Sequence, residues 1–343
     1  MHMADALISP AVGATMCVAS AGLIAYSCKK VRETADDRKI PFMGVLGAFI
    51  FAAQMINFSI PATGSSGHLG GGMILSILLG PYAAFLVMAS VLVVQALFFG
   101  DGGLLALGCN IFNLGFWPCF IVYPLIYKKI VGDDPTKGKI MTGSLIAAII
   151  GLQLGAFGVV LETLFSEISE LPFGTFILLM QPIHLAIGFV EGIVTAAVVI
   201  FVWNARPEIL NVAIHSKQIR QISITKVLLG LLIVVVIVGG ALSWFASTNP
   251  DGLEWAMFKT AGVEELESDH GVHKALSAFQ KKTAFLPDYS FKQDETQAEP
   301  TDDSGTAWPA IDPGISVSGI VGGALVLLLS VVIGFLLRRR KAA

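Results

Sequence analysis

The sequence predicts an all-α polytopic membrane protein: seven spans in a bundle, then two more spans joined by an external loop. Three observations lead there. Hydrophobic residues make up 55% of the chain and charged residues 14%, with a mean hydropathy of +0.75, the composition of a chain solvated by lipid. Apolar runs recur at 8–28, 41–60, 68–79, 82–99, 104–127, 140–165, 175–203, 226–247 and 316–337, most of them near the roughly 20 residues a crossing needs. Basic residues collect in alternate connectors, which sets orientation by the positive-inside rule.

The elements follow in chain order. Residues 1–7 lack a basic n-region and no small-residue cleavage site follows, so the N-terminus is expected to be kept. His2 is too bulky for ordinary methionine removal, so Met1 should retain its amine. After the first span, Lys29, Lys30, Arg32, Arg38 and Lys39 make the connector cytoplasmic. Lys128, Lys129, Lys137 and Lys139 do the same after 127. Three crossings must then lie between 60 and 128, so the short run 68–79, which ends at Gly80-Pro81, crosses or nearly crosses alone. Irregular backbone at membrane depth occurs where it lines a site. Arg206, Lys217, Arg220 and Lys226 mark 204–226 as cytoplasmic, and Arg338-Arg339-Arg340-Lys341 marks the tail. The N-terminus is therefore outside, the C-terminus cytoplasmic, and residues 1–7, 61–67, 100–103, 166–174 and 248–315 share the external face.

The expected division is 1–203 for the seven-span part, 204–226 for a cytoplasmic linker, and 227–343 for two spans with the external loop 248–315. That loop holds 13 acidic residues against 5 lysines. It can draw cations to the outer mouth or simply be a soluble loop. The four cysteines, Cys17, Cys28, Cys109 and Cys119, lie in or beside apolar spans without a CxxC pair and read as small buried hydrophobes.

The chemistry begins at Met1-His2. A free α-amine, the first peptide nitrogen and the imidazole of residue two close fused chelate rings on a metal. One more imidazole completes a four-nitrogen square suited to Ni²⁺, Cu²⁺ or low-spin Co²⁺. His68 lies on the same face in Thr63-Gly64-Ser65-Ser66-Gly67-His68-Leu69-Gly70-Gly71-Gly72, where glycines permit the turns needed to aim an imidazole from a cramped loop. The amide must lose its proton, so binding should release protons and weaken in acid. Oxygen-preferring Mg²⁺ and Ca²⁺ cannot offset that cost.

Asp5, Ser65, Ser66, Asp101 and Asn110 share this face and are candidates to orient the ligands; Asp101, within Gly100-Asp101-Gly102-Gly103, reads equally as a turn residue. Asn57, Gln95, Asn113, Gln153, Glu162, Gln181, His184 and Glu191 are costly in lipid and should face the bundle interior. His184 is either a ligand or an interior hydrogen-bonding group. His270 and His273, three apart, could share a helix face.

The Thr63–Gly72 segment, Leu79-Gly80-Pro81, and Val94-Gln95-Ala96-Leu97-Phe98-Phe99-Gly100-Asp101-Gly102-Gly103-Leu104-Leu105-Ala106-Leu107-Gly108-Cys109-Asn110 resemble the substrate-binding membrane subunits (S-components) of cobalt/nickel energy-coupling factor (ECF) transporters, the CbiM/NikM type. Pro250-Asp251-Gly252-Leu253-Glu254, Phe285-Leu286-Pro287-Asp288-Tyr289 and a last span ending in arginines resemble their small partner, CbiN/NikN. Together the two cover nearly the whole chain, as a fusion.

The resemblance implies ATP-driven capture and uptake of Co²⁺ or Ni²⁺ at a prokaryotic plasma membrane, in a setting such as cobalamin biosynthesis. It implies metal ligands at Met1, His2 and His68, and partners in a transmembrane scaffold subunit and ATP-binding cassette ATPases. No cofactor beyond the transported ion, no enzymatic activity and no nucleic acid are expected. After Met1-His2 the family often carries an acid followed by glycine; here the acid is Asp5 and Ala6 replaces the glycine.

The residues agree that this chain has no engine. Gly132-Asp133-Asp134-Pro135-Thr136-Lys137-Gly138-Lys139 lacks the order of a phosphate loop. An ion-coupled secondary transporter is the alternative, and it would place Glu162 or Glu191 beside the metal. An intramembrane metalloenzyme lacks its HExxH pair. Nickel and cobalt are not separable from these residues.

Overall fold

The computed structural model describes residues 2–34, 37–168, 171–214, 224–263, 271–292, 309 and 311–338. The calls at Met1 and His270, and at the terminal run from Arg339, lie outside these residues.

The first helix, α1 (Pro10–Glu33), starts where Ser9 accepts a hydrogen bond from the Val12 amide and Pro10 occupies the first helical position. It is the least covered of the long helices, and its buried residues Gly13, Ser20 and Ser27 are small. Ser20 Oγ donates to the Gly108 carbonyl at 2.7 Å, which ties α1 to the start of a later helix. Helix α2 (Lys39–Gln54) is apolar all round, as a fully enclosed helix must be: every residue from Phe42 to Gln54 is buried.

A two-stranded antiparallel hairpin follows, β1 (Phe58–Ile60) paired with β2 (Ser65–Gly67). Next comes α3 (Gly72–Leu79), eight residues, all buried. At 1.5 Å per residue α3 is about 12 Å long, well under the roughly 30 Å hydrocarbon layer. The chain reverses at Gly80, whose φ of 76° is open to glycine, and Pro81 starts α4 (Pro81–Phe99). Then come α5 (Leu107–Val131), widened into π-type turns around Pro118 and Pro124, α6 (Lys137–Ser166), α7 (Phe173–Ala205) and a short α8 (Pro207–Ile214). The second part supplies α9 (Thr225–Gly240), α10 (Gly252–Ala261), α11 (Gly271–Thr283) and α12 (Pro313–Leu337).

Among the described residues, six helices are long and apolar enough to cross a membrane: α1, α4, α5, α6, α7 and α12. The other three apolar runs form shorter helices. Helices α2 and α9 have 16 residues each, and α3 is half-length because the glycine loop before it consumes the rest of the run. That loop is enclosed by protein, which is what lets it leave helical geometry.

The two ends of the bundle differ in chemistry. Lys30, Lys39, Gly80, Ala213 and Arg338 meet at one end. His2, His68, Asp101, Asp251 and Tyr289 meet at another cavity, fed by the opposite ends of α1, α4 and α12. The segment 68–79 therefore links one end to the other, as the charge distribution requires.

The second part is built into the first. Helix α12 packs along α2, and α9 packs on both. Small residues let these backbones approach: a Cβ on Gly322 would lie 2.0 Å from the Phe51 ring. Gly322→Leu should therefore destabilise the protein by about 1–3 kcal/mol through overpacking, read as a lower melting temperature in detergent. Gly22→Ala, with nothing within 4 Å of its Cβ, should not lower it.

Candidate metal centre

The N-terminal segment is anchored. Met3, Leu7 and Ile8 are wholly buried. The Met3 amide donates to Asn110 Oδ1 at 2.8 Å, and Asn110 Nδ2 donates to the Met3 carbonyl at 3.2 Å. The Gly103 amide donates to the same carbonyl at 2.9 Å. Asp5 Oδ1 accepts from the Leu105 and Ala106 amides at 2.7 and 3.0 Å. Two of the candidate orienting residues, Asp5 and Asn110, thus hold the chain around residue 2 against the loop between α4 and α5. Gly102 in that loop has φ 82°, and a Cβ there would lie 3.3 Å from the His2 Cβ, so a side chain would crowd the ligand.

His2 and His68 come together, with ring centroids 5.0 Å apart and planes inclined by 18°. His2 Nδ1 sits 2.8 Å from Asp101 Oδ1. Its Nε2 is buried and has no hydrogen-bond partner among the described residues. His68 Nδ1 lies 3.1 Å from the Leu69 carbonyl. Since a carbonyl only accepts, Nδ1 carries the proton and Nε2 keeps the lone pair. Burial alone would raise the Asp101 carboxyl; the His2 ring and the Tyr289 hydroxyl outweigh it and hold the group below the usual carboxylate range.

The remaining candidates bond elsewhere. Ser66 Oγ donates to the Asn249 carbonyl at 2.8 Å, and the Ser66 amide donates to the Pro250 carbonyl at 2.8 Å. Ser65 Oγ donates to the Ser66 carbonyl. Ser66 builds the hairpin's seam with the second part and Ser65 bonds within the hairpin, so neither is the imidazole's partner. His184 Nδ1 is engaged with the Met180 carbonyl and His273 Nε2 with the Ile8 carbonyl. Glu162 accepts from Asn113, inside the bundle. Glu191 accepts from the amides of Gly70 and Gly71 at 2.7 and 3.0 Å, so it holds the loop that carries His68.

Four contributors come from outside the candidate set. Asp251 Oδ2 lies 4.0 Å from His68 Nε2, and the same carboxylate caps α10 through the Leu253 and Glu254 amides. Tyr289 donates to Asp101 Oδ2. Gln54 and Gln95 run beneath, Gln95 to Gln54 at 3.0 Å and Gln54 to the Gly70 carbonyl at 2.9 Å. Their sequence signal is polarity inside apolar spans for the glutamines, and the Pro250–Glu254 and Phe285–Tyr289 motifs for the other two. A cavity of about 600 Å³ borders these groups. Among the described residues no three His, Cys, Asp or Glu side chains converge as a metal cage.

Comparison with known proteins identifies the family. The family described as cobalt uptake substrate-specific transmembrane region, CbiM, matches residues 2–209. The chain belongs to the CbiM family. Residues 225–339 of this CbiM-type chain match the PDGLE domain. A provisionally named metal transport protein of Haloquadratum walsbyi is 35% identical over 210 residues, covering 61% of this chain and 93% of that protein. A provisionally named fused nickel transport protein, NikMN, of Archaeoglobus fulgidus is 29% identical over 348 residues, 99% of this chain and 98% of that one. A crystal structure described as a transition metal transporter superposes with a TM-score of 0.54 at 30% identity, over 62% of this chain and 96% of the other.

Asn110→Ala removes both side-chain bonds to Met3. It should cost about 1–3 kcal/mol through the buried amide left unpaired. Faster hydrogen exchange at the Met3 amide would report it.

Proposed function

We propose that this CbiM-type chain captures Ni²⁺ or Co²⁺ for an ATP-driven energy-coupling factor transporter, at an all-nitrogen, square-planar site built on its N-terminus. The observation that carries this reading is the pairing of the His2 and His68 rings beside an anchored residue 3. The fourfold set would be the Met1 amine, the His2 amide and imidazole, and the His68 imidazole. The family and the relatives' names support cobalt or nickel as cargo. Both metals favour nitrogen donors over the hard oxygens that Mg²⁺ demands.

Chelation imposes an order of events. A ring closed by the His2 amide and imidazole is six-membered only through Nδ1; through Nε2 it would be a strained seven-membered ring. In the metal-free chain Nδ1 faces Asp101. Capture therefore begins by exchanging that partner for the metal. His68 keeps Nδ1 on the Leu69 carbonyl, so it would bind the metal through Nε2. Loss of the amide proton and of the amine's proton makes affinity fall as pH falls.

The N-terminus would face outward, with the basic end of the bundle in the cytoplasm. ATP hydrolysis would come from separate ATPase subunits through a transmembrane scaffold. Glu191, the acid nearest the His68 loop, is occupied by two backbone amides, which suits loop support better than ion coupling.

Adding one residue before Met1, or making His2→Ala, should abolish high-affinity Ni²⁺ and Co²⁺ binding to the purified chain; unchanged binding sinks the chelate. Uptake of radioactive nickel by cells should vanish when the ATPase subunits are deleted, and undiminished uptake would favour a secondary carrier.

A further inference from the structure

The geometry points to a second metal position further into the bundle, where the imidazoles of His68 and His184 share the ion once the N-terminal chelate releases it. This rests on His68 as a ligand of the proposed site. Both rings border one small cavity, together with Asp251. Its volume is about 10 Å³, the room that one water or one bare divalent ion takes. His68 and Asp251 also border the large outer cavity, so they form the wall between the two spaces. His184 Nδ1 lies 2.8 Å from the Met180 carbonyl, so that nitrogen carries the proton and Nε2 the lone pair. His184 Nε2 is buried and has no hydrogen-bond partner among the described residues. The adjoining Cε1 is 3.3 Å from where Gly252 would carry a Cβ, and Gly252 lines the same cavity. The unpaired edge of the ring therefore faces that space.

Both histidines are prepared alike. Each gives its Nδ1–H to a backbone carbonyl, Leu69 for one and Met180 for the other. That arrangement fixes a metal-binding imidazole in the tautomer whose Nε2 can ligate. A histidine serving only the packing would satisfy both nitrogens, because a buried lone pair without a donor costs free energy. Asp251 Oδ2 stands 4.0 Å from His68 Nε2 and brings negative charge to an ion that has left the deprotonated amide behind. Among the described residues no three His, Cys, Asp or Glu side chains converge as a cage, so water completes the set around the two imidazoles. That hold is weaker than the chelate, and a passing ion needs a site weak enough to leave.

The position leads onward. His184 and Glu191 are seven residues apart on α7, on one face and about 10 Å along it. A second cavity of the same size borders Glu191 and Asn113, and it shares the walls Gly70, Leu114 and Leu152 with the first. Asn113 keeps its Oδ1 buried and without a partner among the described residues. The cavities therefore run from the outer mouth, past His68 and His184, toward the middle of the bundle. The second part roofs this run at Asp251 and Gly252.

The test uses the purified full chain and Ni²⁺ alone. His2→Ala removes the square, in which Ni²⁺ is diamagnetic, and leaves the inner position. That variant should bind Ni²⁺ more weakly than wild type, in a paramagnetic form, with two imidazoles counted by X-ray absorption. His184→Asn keeps an N–H for the Met180 carbonyl and removes the Nε2 lone pair. Added to His2→Ala, it should abolish the paramagnetic site. An unchanged spectrum in the double variant overturns the proposal. So does His2→Ala that binds no Ni²⁺ or shows a single imidazole, outcomes that serve even if His184→Asn does not fold. Alone, His184→Asn should leave the diamagnetic binding intact yet lower uptake of radioactive nickel by cells that hold the ATPase subunits; undiminished uptake overturns the transfer role. Diamagnetic, wild-type binding by His2→Ala sinks the N-terminal site itself, a result distinct from all of these.

Discussion

The anchoring of the N-terminal segment is the constraint on which the rest depends. A chain end ordinarily frays, and a ligand set that begins at residue 1 needs an end that does not. Met3, Leu7 and Ile8 are fully buried, worth roughly 5–9 kcal/mol together at about 1.5–3 each. Ordering six residues costs about 1–2 kcal/mol apiece, which is the same size. Apolar burial alone therefore leaves the segment near balance. The difference is made by Asn110, which brackets Met3, and by Asp5, which collects two amides of the neighbouring loop. Neither residue touches an imidazole, yet both decide where His2 stands.

The second part completes the centre instead of standing beside it. Its backbone meets the hairpin at Ser66 and Pro250, and Asn57 accepts from the Ser247 amide. Trp255 donates to the Thr63 carbonyl, and Gln280 to the Ala96 and Gly102 carbonyls. The hairpin before His68 and the loop around Asp101 are thereby bonded to the second part. Helices α9 and α12 against α2 supply the fixed base for these contacts.

Much of this was legible in the sequence, and the limits are physical. Hydropathy finds all nine apolar segments because lipid demands apolar surface along each. It overestimates their lengths where protein replaces lipid, as at α2 and α3, since an enclosed segment need not match the bilayer. Gly80-Pro81 marks the reversal because few other residues accept that turn. The convergence of His2 and His68 follows from charge bias, which assigns faces to loops 66 residues apart in the chain. What each polar residue bonds does not follow. Ser66 lies two residues from His68 in sequence but turns to the second part, while Asp101 reaches Tyr289, 188 residues away. A face can be read from periodic or bulk properties; a hydrogen-bond partner is set by side-chain direction, which only packing decides.

The charge around the proposed chelate explains why carboxylates crowd a site that uses none as ligands. A divalent ion bound by one deprotonated amide and three neutral nitrogens keeps a net charge of +1. Leaving that charge in a poorly hydrated pocket is costly unless opposite charge lies close. Asp101 and Asp251 stand beside the two histidines, near enough to offset it without displacing nitrogen donors. In the metal-free chain the same carboxylates face neutral or hydrogen-bonded groups: Asp101 meets Tyr289 and His2, and Asp251 caps α10. Each has a second occupation that satisfies it when the ion is gone.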